Sequence, residues 1–87
     1  MKLTDYCDAI NAHIILMRYP NEGNRWTAKL ENCEIMDGRC LIAEYGNANT
    51  SQLAMDDYCK KIAGKRVVFN AGLTMRQEFN VPAQLEV

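Results

Sequence analysis

The segment from Asn49 to Gly64 carries every local cue for one amphipathic helix, and a helix with one apolar stripe must lay it on something. Ala54, Tyr58 and Ile62 form an apolar spine, with Leu53 on one side and Met55 and Cys59 on the other. Asn49 or Thr50 stands at the cap; with Asn49 there, Gln52 falls three residues on and completes a capping-box-like pair. Asp56 with Lys60, and Asp57 with Lys61, are four-residue pairs in the favourable orientation on the solvent face. Gly64 sits where a left-handed residue ends a helix. The helix is therefore predicted from Thr50 or Ser51 to Ala63.

The layer beneath it is supplied by strands upstream. Residues Ala12 to Tyr19 are apolar and largely β-prone, which predicts a buried strand. Pro20-Asn21-Glu22-Gly23-Asn24 provides turn chemistry. Arg25 to Leu30 then alternates: Trp26, Ala28 and Leu30 on one side, Arg25, Thr27 and Lys29 on the other. Asp37-Gly38 is a two-residue hairpin signal of the type I′ kind, pairing residue 36 with 39, 35 with 40 and 34 with 41. It leads into a strand from Arg39 to about Tyr45. The parity of the inward positions switches between Leu30 and Ile35, which predicts a bulge or irregular step near Asn32 and Cys33. Gly46-Asn47-Ala48-Asn49 reads as a loop.

At the N-terminus Leu3, Tyr6, Cys7 and Ile10 mark one face of a short helix, with Thr4 or Asp5 near its start and Asn11 near its end. Two to three turns hold only when docked. After the main helix, Lys65 to Phe69 is a fourth strand. The tail from Arg76 to Val87 is expected to make a short fifth strand or an extended arm, and Pro82 argues against a central strand there. The fold class expected is α+β: an antiparallel β-meander of three strands packed on one amphipathic helix, then a fourth strand and a C-terminal arm, with a short N-terminal helix.

A chain of 87 residues is the size of one domain, 1–87, with a modest core. Self-association is a natural way to add buried area. Ten Lys and Arg against eleven Asp and Glu leave a formal charge of −1, without the basic excess of a protein steered to polyanions. The four cysteines do not imply disulfides, because Asp5 and Asp8 interrupt any signal-peptide apolar region at the start. A cytoplasmic protein with reduced thiols and no membrane span is expected.

Candidate chemistry is sparse. Cys7, His13, Cys33, Cys40 and Cys59 lack the paired two-to-four-residue spacing of a zinc knuckle, and hairpin pairing sets Cys40 against Ile35 rather than Cys33. The lone His13 lies at the edge of an apolar strand, a structural position rather than half of a Cys–His dyad. Asp56 and Asp57 are accounted for by their lysines, and no glycine-rich phosphate cradle is present. No catalytic residue, metal ligand or cofactor site is assigned. Lys60, Lys61, Lys65 and Arg66 do cluster at the helix C-terminus, where they complement its dipole. The β-β-β-α order with such a cluster is also that of double-stranded-RNA-binding domains, which makes nucleic-acid contact through these four residues the alternative reading.

Trp26-x-Ala28 on a strand, a hairpin, and Gly46-x-x-x-Thr50-x-x-x-Ala54 leading into a helix together resemble the HicB-like fold, over residues 12 to 71. Gly64 to Ala71 and the later Pro82 are similar to small phage and prophage proteins. The resemblance implies a non-enzymatic accessory or antitoxin-like protein that self-associates and binds a partner protein, a toxin or a phage protein. Sixteen residues follow Ala71 here, fewer than the DNA-binding segment that many such antitoxins append, so autoregulation through DNA is not expected. The resemblance to a fragment of ribonuclease H lacks the acidic constellation that holds two metal ions. The apolar tail residues Phe79, Val81 and Leu85, with Val87, are the expected self-association surface of a homodimer.

Overall fold

The computed structural model describes all residues, Met1–Val87. Helix α1 spans Leu3–Ile10 and buries Leu3, Tyr6 and Cys7, the stripe expected from their spacing. Asn11 ends it in the left-handed conformation at φ 55°, a region that Asn tolerates better than most side chains. Strand β1 (Ile14–Tyr19) turns through a short 3-10 segment (Pro20–Glu22) into β2 (Arg25–Leu30). Then follow β3 (Cys33–Asp37), β4 (Cys40–Ile42), β5 (Gly46–Ala48), helix α2 (Ser51–Ile62), β6 (Arg66–Phe69) and β7 (Gln77–Asn80). Two antiparallel sheets result, a three-stranded one ordered β1-β2-β5 and a four-stranded one ordered β4-β3-β6-β7. The class is α+β, as the sequence implies.

The step expected near Asn32 is larger than a bulge. Asn32 adopts φ 57°, and the chain leaves the first sheet after Leu30 and enters the second at Cys33. The third place in the first sheet goes instead to β5, which the sequence reads as a loop. β5 lacks β-prone residues, and it pairs because its Gly46 lets α2 lie against it. A Cβ at Gly46 would strike the Ala54 carbonyl oxygen and come within 2.6 Å of the Tyr58 backbone nitrogen.

The hairpin between β3 and β4 also differs from expectation. Asp37 pairs with Cys40, Met36 with Leu41 and Ile35 with Ile42. The loop residues are thus Gly38 and Arg39, and only Gly38 takes a positive φ, 64°, as a type II′ turn requires at its first central position. A type I′ turn would have forced Asp37 to positive φ. Because every partner shifts by two residues, the faces of both strands are unchanged.

Helix α2 lies over the even-numbered side of β2, where Ala28 and Leu30 are buried with Ala54, Tyr58, Cys59 and Ile62. The Thr50 Oγ1 accepts the Leu53 N–H at 3.1 Å, so Thr50 is the cap, and Gly64 at φ 75° closes the other end. The Tyr58 hydroxyl, deep in this layer, accepts the Leu30 N–H at 3.2 Å. Val67 and Ile35 carry the core into the second sheet, and α1 with Val81 completes it. Only 15 of the 87 residues are buried, so the domain has little apolar packing to lose. No helix is long and apolar enough to cross a membrane.

Candidate functional site

The basic cluster at the end of α2 is matched, cation by cation, with acids. Lys60 meets Asp56 at 3.2 Å and Lys61 meets Asp57 at 3.0 Å on the helix itself. Lys65 reaches Asp37 at the end of β3, at 3.4 Å, and Arg66 reaches Glu78 on β7, at 3.5 Å. Exposed pairs of this kind stabilise by about 0–1 kcal/mol each. Glu78 also holds Arg76 at 3.2 Å, so four carboxylates stand against five cations, and this leaves only a small net positive charge to present to a phosphate backbone.

Asp57 and Lys61 have a second task, which the sequence does not announce. The Asn47 N–H donates to Asp57 Oδ2 at 2.9 Å, and Lys61 Nζ donates to the Tyr45 carbonyl oxygen at 3.1 Å. Burial pushes the Asp57 carboxyl upward, but the Asn47 N–H and the Lys61 ammonium outweigh it and hold it below the usual carboxylate range. The two side chains thus satisfy backbone groups along the free edge of β5.

The tail residues expected to self-associate are largely engaged within the chain. Val81 is only 4% exposed and belongs to the core, while Leu85 and Val87 pack against it. The Phe79 ring meets Phe69 edge to face, with centroids 6.0 Å apart. Beyond Pro82 the chain returns to the N-terminus, where the Leu3 N–H donates to the Glu86 carbonyl at 2.6 Å and the Glu86 N–H to the Met1 carbonyl at 3.0 Å. The arm closes the second half of the core.

Leu73 and Met75, between β6 and β7, are the most exposed of the large apolar side chains, and others lie on the first sheet. Leu16 is 40% and Met17 50% exposed on β1, which corrects the reading of that strand as buried. β1 is the outermost strand of the first sheet, and α2 covers β2 and β5 instead. On the side of the sheet away from α2, Met17, Tyr19, Arg25, Lys29 and Tyr45 line a shallow groove of about 360 Å³. The Arg25 guanidinium stacks 4.6 Å above the Tyr19 ring and pairs with Glu22 at 3.3 Å. The signal for this surface was present in the sequence: Arg25, Thr27 and Lys29 mark the outward face of β2, and register sets Met17 and Tyr19 beside Thr27 and Arg25.

The four cysteines are free. Burial pushes the Cys33 and Cys59 thiols up to about 11, and raises Cys7 as well. Such thiols are poor nucleophiles at neutral pH. Cys40 is exposed. No three His, Cys, Asp or Glu side chains converge where they could share a metal ion. No family model, curated protein or solved structure matches the chain.

Proposed function

We propose that this chain is a non-catalytic accessory protein of the HicB-like, phage or antitoxin kind, acting in the cytoplasm through protein contacts and as a homodimer. The observation that carries the reading is how its surface is divided. The cations of the basic cluster are matched by carboxylates of the same chain, whereas Leu16, Met17 and Tyr45 stay open around the first sheet. A surface whose basic cluster is largely paired within the chain and which leaves apolar side chains open on the first sheet, with Leu41, Leu53, Leu73 and Met75 exposed elsewhere, suits a protein partner, such as a toxin or a phage protein, better than a polyanion.

Sedimentation equilibrium tests the reading. The expected species at tens of micromolar is about 20 kDa, twice the 9.9 kDa chain. A single species near the monomer mass would overturn the dimer. Duplex RNA or DNA titrated at low salt tests the alternative through Lys60, Lys61, Lys65 and Arg66. No binding is expected, and tight binding that weakens steeply with salt would replace the protein-contact reading.

A further inference from the structure

The two sheets have four outer edges, and three of them are blunted. β4 is only three residues long. The Asn80 carbonyl on β7 is occupied by the Tyr6 hydroxyl at 2.9 Å, and Pro82 lies two residues beyond the strand's end. On β5 the outward Asn47 N–H and Tyr45 carbonyl are held by Asp57 and Lys61. These are recognised ways of preventing edge-to-edge pairing.

β1 has none of these protections. It is six residues long, and Arg18 is its single charge. The Glu31 N–H donates to the His13 carbonyl at 2.8 Å, which fixes the alternation along the ladder. His13, Ile15, Met17 and Tyr19 exchange bonds with β2, so the N–H and C=O of Ile14, Leu16 and Arg18 point away from the sheet. The same alternation turns Asn47 outward on the opposite edge, where its N–H is indeed met by Asp57. No backbone or side-chain partner meets the outward groups of Ile14, Leu16 and Arg18. The Arg18 side chain is drawn back to Asn24 Oδ1 at 2.8 Å, leaving the strand's flank clear.

We propose that β1 pairs antiparallel with β1 of a second copy about a two-fold axis through Leu16, joining the two three-stranded sheets into one of six strands. The inference rests on the homodimer reading and names its surface. The strand is complementary to itself, which makes a second copy its occupant. In this register Leu16 faces Leu16 of the partner subunit, and Ile14 on each copy faces Arg18 on the other. All three outward residues then form hydrogen-bonded pairs, so every open N–H and C=O on both strands is satisfied. On the opposite face Ile15 meets Met17 across the axis, an apolar pair. The two Arg18 side chains fall at opposite ends of the paired strands, so no like charges are opposed. A two-fold through Met17 would engage only Leu16 and Arg18, and would strand Ile14.

Two variants of the full chain test the pairing by sedimentation and oxidative cross-linking. Leu16→Lys sets two ammonium groups opposite each other at a position already partly exposed, and its dimer dissociation constant should rise about a hundredfold or more. Leu16→Cys, made in a Cys40→Ser background, should oxidise to a covalent dimer, whereas Leu53→Cys in the same background should not. Unchanged far-ultraviolet circular dichroism confirms that each variant is folded. A wild-type dimer that survives Leu16→Lys, with no cross-link through Leu16→Cys, overturns the strand pairing and leaves the homodimer reading standing. A wild-type chain that is monomeric, with no such cross-link, overturns both.

Discussion

Replacing Gly46 by alanine puts the packing of α2 on β5 to a test in which even the sign of the effect is informative. Gly46 does not occupy the left-handed region, so alanine meets no backbone penalty there. On chain entropy alone Gly46→Ala would stabilise by about 0.4–1 kcal/mol. The structure demands the reverse. The new Cβ would meet the Ala54 carbonyl oxygen, and would lie 2.6 Å from the Tyr58 nitrogen and 2.7 Å from the Tyr58 Cβ. Carbon atoms rest at about 3.5–4.0 Å, so α2 must withdraw by roughly 1 Å. The obstacles are backbone and Cβ atoms of a hydrogen-bonded helix, which cannot rotate aside.

Withdrawal also lengthens the 3.2 Å bond between the Leu30 N–H and the Tyr58 hydroxyl beyond useful range. Overpacking costs about 1–3 kcal/mol and the weakened bond about 1 more, so a loss of about 2–4 kcal/mol is expected. For a domain of this size each kcal/mol moves Tm by about 4–8 °C, which predicts a fall on the order of 10–30 °C. Thermal unfolding by circular dichroism, with urea midpoints alongside, reads it directly. Adding Ala54→Gly should not rescue the variant, because the carbonyl rather than the methyl group is in the way. A Gly46→Ala protein as stable as the parent, or more so, would refute the close approach.

Tyr58→Phe removes the only acceptor of the buried Leu30 N–H and should cost about 1–3 kcal/mol by urea denaturation; a neutral result would show that the bond contributes nothing net. Alkaline pH should destabilise the fold. The Cys33 and Cys59 thiols are raised from 9.0 to about 11 and the Tyr6 hydroxyl from 10.0 to about 12, all chiefly by burial, so the unfolded chain releases these protons first. Their contribution is therefore complete below about pH 9 and is lost progressively from there to about pH 12, and a Tm as high at pH 11 as at pH 8 would contradict it. Iodoacetamide at neutral pH should modify Cys40 alone in the native protein and all four cysteines after denaturation, as mass spectrometry will register.

What was legible in the sequence was local. The stripe Ala54-Tyr58-Ile62, the cap at Thr50 and the glycine at 64 act within a few residues of each other, and all appear as expected. The alternation along β2 has the same character. The features that escaped depend on distant partners. Nothing in Gly46-Asn47-Ala48 favours a strand, and its pairing with β2 is created by the approach of α2. The division into two sheets had a signal that periodicity passes over. Asn11, Asn24, Asn32 and Asn70 all adopt positive φ, each at the boundary of an element, and Asn32 lies where the chain changes sheets. The apolar run of β1 looked buried because composition cannot distinguish a covered strand from an edge strand. Which one it is depends on where α2 comes to rest.

The two halves of the molecule are finished to different degrees, and this bears on how one small domain can hold two partners. Around the second sheet the chain closes on itself: Tyr6 caps β7, Val81 fills the core, and the residues after Pro82 join the N-terminus. Around the first sheet, α2 covers one face and seals one edge, leaving the β1 edge and the face bearing Tyr19 and Arg25. An edge offers backbone groups in the plane of the sheet, whereas a face offers side chains perpendicular to it. Pairing β1 with a second copy would therefore leave the groove around Tyr19 and Arg25 open on both copies, on the same side of one continuous sheet. A partner protein seated there would meet a surface twice as wide as the monomer provides, and its affinity should fall when Leu16→Lys splits the dimer even though Leu16 lies on the opposite face.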